Sequence, residues 1–218
     1  SASGVVTGVA GGTSTMTYII GTGCYVTAVV TVNPLPPLCN VTGGGNYCAG
    51  GMGLHVGLSC SSVGVNYQLY NGAVAVVSAL AGLSGAPLNF GMQTGAGIYT
   101  VMATNTAGCM NNMMGSATVG TYPLPVVYNV TGGGNYCTGG SGVHVGLSGS
   151  NTGILYQLYN GATMVGGLVA GTGSALDFGL QIASGGYTVV ATNPTSACTN
   201  IMNGSAIVGM SPLPTTHL

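Results

Sequence analysis

The chain has 218 residues, of which 46% are hydrophobic, and it contains no Lys or Arg and only one acidic residue, Asp177. This composition excludes binding to nucleic acid and electrostatic attachment to anionic membranes, because both require basic side chains. It also argues against disorder, which needs few apolar residues and high charge, and against membrane insertion, since no apolar stretch reaches the roughly 20 residues of a spanning helix.

The first predicted element is a strand near residue 30. The apolar residues Val26, Ala28, Val30 and Val32 recur with a period of two, which is the period of a strand with one apolar face. Residues 1–36 are too short for a complete β-sandwich, so we expect them to be the C-terminal part of an upstream domain. They end in Pro-Leu-Pro, a short and stiff extended joint.

A sequence repeat with a period of 89 residues follows this joint. Asn40–Cys48 recurs as Asn129–Cys137, and Tyr67–Ala73 recurs as Tyr156–Ala162. Both copies close with Pro-Leu-Pro, and we expect the chain to be part of a longer array. The predicted domains are residues 1–36, repeat 1 at 37–125, repeat 2 at 126–214, and the start of a further repeat at 215–218.

Each repeat has the pattern of short strands separated by Gly and Asn turns. In repeat 1, Tyr67 and Leu69 alternate with polar positions, and Asn71-Gly72 predicts a type I′ hairpin turn. The predicted fold is therefore all-β, with tandem immunoglobulin-like Greek-key sandwiches joined by the Pro-Leu-Pro linkers. A β-solenoid is the alternative, but it would show a repeat of about 20–30 residues that is not present.

Several segments resemble known bacterial repeats. Residues 3–18 resemble the second half of a group 2 bacterial immunoglobulin-like domain, and residues 27–36 resemble its last strand and linker. The 89-residue units resemble immunoglobulin-like or PKD-like repeats of long secreted surface proteins of Bacteroidetes. This resemblance implies export by the type IX secretion system and retention at the cell surface.

Seven cysteines and no CxxC motif favour disulfides over zinc binding. Cys24 is expected to have its partner upstream of the chain. The alternative is that the cysteines are free, buried thiols. The predicted disulfides are Cys48–Cys109 and Cys137–Cys198, one in each repeat, and Cys39–Cys60, which is specific to repeat 1.

Other candidate sites are few. His55 and His144 are equivalent and lie on the polar face of a strand; the sequence predicts surface histidines without a carboxylate nearby, with a metal shared between subunits as the alternative. Asp177 aligns with Asn89, so its charge is dispensable, which argues against catalysis and against calcium. No catalytic triad can be assembled, and we predict no enzyme activity, no metal and no cofactor.

These observations predict a structural role outside the cell. The leading interpretation is a building block of an extracellular filament, sheath or stalk, secreted or attached to the cell surface, that associates with itself into a polymer or bundle. An uncharged surface favours such association, because copies do not repel each other. The alternative is a cell-surface adhesin that binds glycans, with Tyr70 and Tyr159 exposed for stacking on sugars.

Overall fold

The structure is a computed structural model that describes residues 5–214, and all regular secondary structure in this range is β-strand. None of the described residues forms a helix with the length and apolarity needed to cross a membrane. The chain divides into two compact units, one with residues up to 47 together with 51–120, and one with residues 48–50 together with those from 121 onward.

The first unit begins with an antiparallel hairpin of two strands, β1 (Gly12–Ile19) and β2 (Tyr25–Val32). Gly12 lies opposite Val32, and Ile19 lies opposite Tyr25. All of β1 and most of β2 are exposed to solvent. The strand predicted near residue 30 is therefore present, and it pairs with the strand that precedes it in the chain.

The first repeat forms a sandwich of two sheets. The smaller sheet has the order β3-β5-β9, and the larger has the order β4-β12-β10-β6-β7, with β8 also paired to β6 and β11 to β10. The strands are β3 (Val41–Gly43), β4 (Gly45–Cys48), β5 (Leu54–Leu58), β6 (Val65–Asn71), β7 (Val74–Ala75), β8 (Leu80–Ala81), β9 (Leu88–Gln93), β10 (Gly97–Asn105), β11 (Met110–Asn112) and β12 (Ala117–Tyr122).

The second repeat forms the same sandwich. Its sheets have the orders β13-β15-β18 and β14-β21-β19-β16-β17, with β20 paired to β19. In the larger sheet β14 runs parallel to β21, with Cys137 opposite Ser211. The strands are β13 (Val130–Gly132), β14 (Gly134–Cys137), β15 (Val143–Leu147), β16 (Leu155–Asn160), β17 (Thr163–Ala170), β18 (Leu176–Gln181), β19 (Gly185–Thr192), β20 (Thr199–Ile201) and β21 (Ala206–Ser211).

Two tyrosines from the larger sheet are fully buried in each core. In the first repeat they are Tyr67 and Tyr99, and their hydroxyl groups are satisfied by backbone groups: the Ser62 amide donates to Tyr67, and Tyr99 donates to the Gly95 carbonyl. Burying a tyrosine is favourable only when its hydroxyl keeps a partner. The equivalent tyrosines of the second repeat, Tyr156 and Tyr187, are buried and bonded in the same way.

The predicted fold class is confirmed by the sheet topology. Successive strands cross between the two sheets, from β5 to β6 and from β9 to β10, so that sequence neighbours face each other across the core. This is the Greek-key arrangement of an immunoglobulin-like sandwich. The period-2 alternation identified it correctly, because side chains of alternate residues point to opposite faces of a strand. The β-solenoid alternative is excluded.

The predicted hairpin is present, but its turn lies one residue later than expected. Asn71 is paired with Val74, so the central residues of the turn are Gly72 and Ala73, and only Gly72 has a positive φ, of 58°. A positive φ at the first central position alone is the pattern of a type II′ turn rather than type I′. The Asn71 side chain instead donates a hydrogen bond to the carbonyl of Ala96.

Candidate functional site

The disulfide specific to the first repeat, Cys39–Cys60, is present in the structure. In the second repeat the equivalent positions are Tyr128 and Gly149, and a Cβ atom on Gly149 would lie 2.6 Å from the Tyr128 ring. The Tyr128 ring therefore packs directly against Gly149, the residue equivalent to Cys60 of the first repeat. One repeat closes this position with a covalent bond, and the other closes it with an aromatic side chain.

The other predicted disulfides are wrong. Cys48 is bonded to Cys198, whereas Cys109 and Cys137 are free thiols, as is Cys24. Cys48 is the last residue of β4, and residues 48–50 group with the second compact unit, where Cys198 is fully buried. Sequence equivalence shows which cysteines are alike, but it fits a bond from one repeat to the next as well as a bond inside each repeat.

Asparagine side chains bind the Pro-Leu-Pro linkers in both units, a feature that the sequence analysis missed. Asn111 donates a hydrogen bond of 2.8 Å to the carbonyl of Pro36, and the equivalent Asn200 donates one of 2.8 Å to the carbonyl of Pro125. In the first unit Asn105 also donates to the carbonyl of Pro34. The recurrence of asparagine at positions 111 and 200 was the available signal.

The two equivalent histidines are exposed, and each has a side-chain partner. His55 Nδ1 lies 3.1 Å from Asn89 Oδ1, and His144 Nδ1 lies 2.7 Å from Asp177 Oδ2. The expectation of no neighbouring carboxylate is therefore wrong for His144. The hydrogen bond from His144 lowers the pKa of Asp177, and a second bond from the backbone amide of Gly179 lowers it further.

No metal centre is formed around these histidines. Within residues 5–214, no three His, Cys, Asp or Glu side chains lie close enough to hold a metal ion together. Asn89 and Asp177 both accept a backbone hydrogen bond of 2.8 Å, from Gly91 and Gly179 respectively. The local structure is thus the same with an amide or a carboxylate at this position.

The tyrosines predicted to stack on glycans are only half-exposed. Tyr70 lies on β6 between Thr100 of β10 and Ala75 of β7. Tyr159 lies at the equivalent position of β16 and is half-buried as well. Flanking strands cover part of each ring because β6 and β16 are inner strands of their sheets. The most exposed tyrosines of the described residues are Tyr25 and Tyr18, at 71% and 67%.

One face of the N-terminal hairpin is apolar along most of its length and largely uncovered, whereas the other face is mainly threonine but also exposes Ile19, Tyr25 and Val29. Cross-strand partners share a face of a sheet, and the pairs Tyr18–Val26 and Met16–Ala28 lie on the same side. Val26 is 64% exposed, and Met16 is 42% exposed. We call this surface the apolar hairpin face. Its residues are Met16, Tyr18, Val26, Ala28, Val30 and Val32.

Comparisons with known proteins returned distant structural similarities. No protein-family model matches the chain, and no curated protein matches it. A Ca²⁺-stabilized adhesin with which an Antarctic bacterium binds ice is similar over 93% of this chain and 57% of its own length, with 14% identity and a TM-score of 0.44.

Two further solved structures are comparable. The fibronectin(III)-like modules of Clostridium thermocellum match 82% of this chain and 98% of their own length, at 13% identity and a TM-score of 0.38. The insect immune protein hemolin matches 91% of this chain and 56% of its own, at 15% identity and a TM-score of 0.36. This chain therefore spans just over half the length of hemolin and of the ice-binding adhesin.

Proposed function

We propose that this chain is a structural building block of an extracellular filament, sheath or stalk made of tandem immunoglobulin-like domains, and that it has no enzyme activity. The observation that carries the proposal is the apolar hairpin face. Exposed apolar surface on a two-stranded sheet is a template for association with another chain. The occupant that we propose is a second copy of this chain.

The charge distribution supports association between copies. Soluble proteins usually stay apart because their surfaces carry net charge, and edge strands are usually protected by charged side chains, especially lysine. This chain has no lysine or arginine, and its single acidic side chain, Asp177, is already paired with His144. Contact between two apolar hairpin faces is therefore opposed neither by long-range charge repulsion nor by a charged side chain that protects the strands.

The disulfides support an extracellular location. Two disulfides in a chain of this size are typical of proteins that mature in an oxidising compartment, because cytosolic thiols are kept reduced. A secreted or cell-surface protein of the kind found in Bacteroidetes, with immunoglobulin-like or PKD-like repeats, fits both the disulfides and the sandwich fold.

A glycan-binding adhesin is the second candidate. The observation that favours it is the placement of Tyr70 and Tyr159 at equivalent positions on the outer face of the larger sheet, where both rings remain half-exposed. Aromatic rings that recur at the spacing of the repeat could stack on successive sugars of one polymer. In this case the chain would bind sugar as a soluble array and would not form a regular polymer.

The test of the leading proposal is the assembly state of two matched variants. Val26 and Val29 are 64% and 68% exposed, but they differ by three positions and so lie on opposite faces of β2. We expect Val26→Lys to abolish association in sedimentation velocity, because it places a charge in the apolar hairpin face. Val29→Lys adds the same charge on the other face and should leave association unchanged.

Electron microscopy of native material provides the independent readout. A polymer with regular spacing supports the structural role. A protein that stays monomeric at high concentration, or one for which both lysine variants behave alike, contradicts it. Retention on a glycan column that is lost in Tyr70→Ala and Tyr159→Ala would favour the adhesin instead.

A further inference from the structure

The two free cysteines of the repeats are the counterparts of the two that are bonded to each other. Cys137 is equivalent to Cys48, and Cys109 is equivalent to Cys198, at the repeat distance of 89 residues. The bond between Cys48 and Cys198 therefore joins the strand-end position of one repeat to the loop position of the next. The equivalent cysteines of the other repeat in each case are free: Cys137 at the strand-end position and Cys109 at the loop position.

The backbone around Cys137 is the same as that around Cys48. Cys48 ends β4, and the next amide, that of Ala49, donates a hydrogen bond of 2.9 Å to the carbonyl of Tyr122. Cys137 ends β14, and the next amide, that of Thr138, donates one of 2.9 Å to the carbonyl of Ser211, the residue equivalent to Tyr122. Cys137 is thus held in the position from which Cys48 forms its disulfide, and its side chain is exposed.

The loop that carries Cys109 is closed by the same kind of backbone hydrogen bond as the loop that carries Cys198, which is one residue longer. In the first repeat the amide of Asn105 donates to the carbonyl of Cys109, and in the second the amide of Asn193 donates to the carbonyl of Cys198. The thiol of Cys109 lies 3.9 Å from the carbonyl of Asn33, which is the residue equivalent to Tyr122. Cys109 therefore faces the position at which a preceding strand-end cysteine would lie.

The remaining free cysteine, Cys24, does not complete this arrangement within one chain. It precedes Tyr25, the first residue of β2, whereas Asn33 follows the last residue of the same strand. A strand of 8 residues is roughly 26 Å long, because each residue advances about 3.3 Å. Cys24 and the thiol of Cys109 are thus at opposite ends of β2.

We propose that Cys137 is a covalent attachment site for a further repeat of the same kind. Its thiol forms, with the loop cysteine of that repeat, the disulfide that Cys48 forms with Cys198. The two protein thiols lose two protons and two electrons as the disulfide forms. A disulfide oxidant such as oxidised glutathione takes them up and is reduced to two glutathione thiols. The inference does not depend on noncovalent association through the apolar hairpin face, so each can fail without the other.

The test places a further repeat after the second one. Residues 1–214 are extended with a second copy of residues 126–214, folded in a glutathione redox buffer, and alkylated without reduction. In the added copy Cys137→Ser removes the second strand-end thiol, and Thr195→Ser gives the added Cys198 peptide a mass different from that of the original. Trypsin cannot cleave the chain, because it has no Lys or Arg. The peptides for mass spectrometry are therefore generated with chymotrypsin or pepsin. We expect a peptide that links Cys137 to the added copy of Cys198, and near-complete loss of Cys137 alkylation relative to the unextended chain.

Matched controls identify the source of the partner. Replacing the added loop cysteine with serine should return Cys137 to full alkylation, while the Cys48–Cys198 peptide reports that the original repeats are still folded. A Cys137–Cys109 dimer of the unextended chain would also support the attachment site, with a second chain as the source. Cys137 that stays alkylated in every chain, or links to Cys24, overturns the proposal, as does absence of the Cys48–Cys198 peptide itself.

Discussion

The exchange of a disulfide for an aromatic ring between the two repeats can be tested by transplantation. The variant Cys39→Ser/Cys60→Ser removes the bond from the first repeat, and Cys39→Tyr/Cys60→Gly installs the pair that the second repeat uses. The disulfide closes a loop with a sequence separation of 21, for which the chain-entropy model gives about 3 kcal/mol. We expect the serine variant to lower the free energy of unfolding of the first repeat by that amount.

The tyrosine–glycine variant should recover part of this loss. Tyr128 is half-buried in the second repeat, and its hydroxyl donates to Asn151 Oδ1, so its burial contributes about 1 kcal/mol, half of the value for a fully buried side chain. Urea unfolding followed by far-UV circular dichroism measures both changes, and hydrogen exchange of pepsin peptides assigns them to the first repeat.

The urea midpoint of the first repeat shows whether the disulfide acts through the unfolded chain. For the serine variant we expect the urea midpoint of the first repeat to fall by about 2 M. An unchanged midpoint would mean that the disulfide does not stabilise the first repeat by lowering the conformational entropy of its unfolded chain. A tyrosine–glycine variant no more stable than the serine variant would mean that the ring and the disulfide are not interchangeable at this position.

Three further predictions concern single residues of the second repeat. Asn200→Ala should cost about 1–2 kcal/mol in urea unfolding and speed hydrogen exchange next to Pro125, since it removes the bond to that carbonyl; unchanged exchange would contradict this role. Gly161→Ala should cost about 1 kcal/mol, because Gly161 has a φ of 59° and open space around it, so that only the backbone conformation is penalised; an unaffected melting temperature would contradict it. The lowered pKa of Asp177 means that its pair with His144 contributes stability above the usual aspartate pKa, which is lost as pH falls through the lowered value. Asp177→Asn should lack this acid-dependent step in the pH dependence of urea unfolding, and an identical pH profile would count against the pair.

The fold was predictable because it follows from alternation. Positions such as Tyr67 and Leu69 recur with period 2 on strands buried on one face, and both are fully buried. The exact turn was not predictable, since Asn-Gly suits several hairpin geometries and the register of β6 with β7 decides between them. That register moved the turn by one residue, to Gly72-Ala73.

The disulfides and polar contacts were only partly predictable. Cys39 and Cys60 occur together in one repeat, which identifies them as partners without any knowledge of the fold. Cys48 and Cys109 each have a counterpart one repeat away, so the sequence is equally consistent with pairing within a repeat and with pairing between repeats. The bond between Asn200 and Pro125 was missed because the recurring asparagine identifies only the donor, and a backbone carbonyl acceptor carries no sequence signature.

The parallel pairing of β14 with β21 has a mechanical consequence. β14 lies near the N-terminal end of the second repeat and β21 near its C-terminal end, and the two strands run side by side from Gly134–Val208 to Cys137–Ser211. When the Cys48–Cys198 disulfide is reduced, tension along the chain enters this repeat at its N-terminal end and pulls these strands along their length in opposite directions. Their hydrogen bonds then bear the load together in shear, whereas antiparallel strands pulled at a common end would open one bond at a time. A domain with this arrangement resists stretching more than its modest number of bonds suggests.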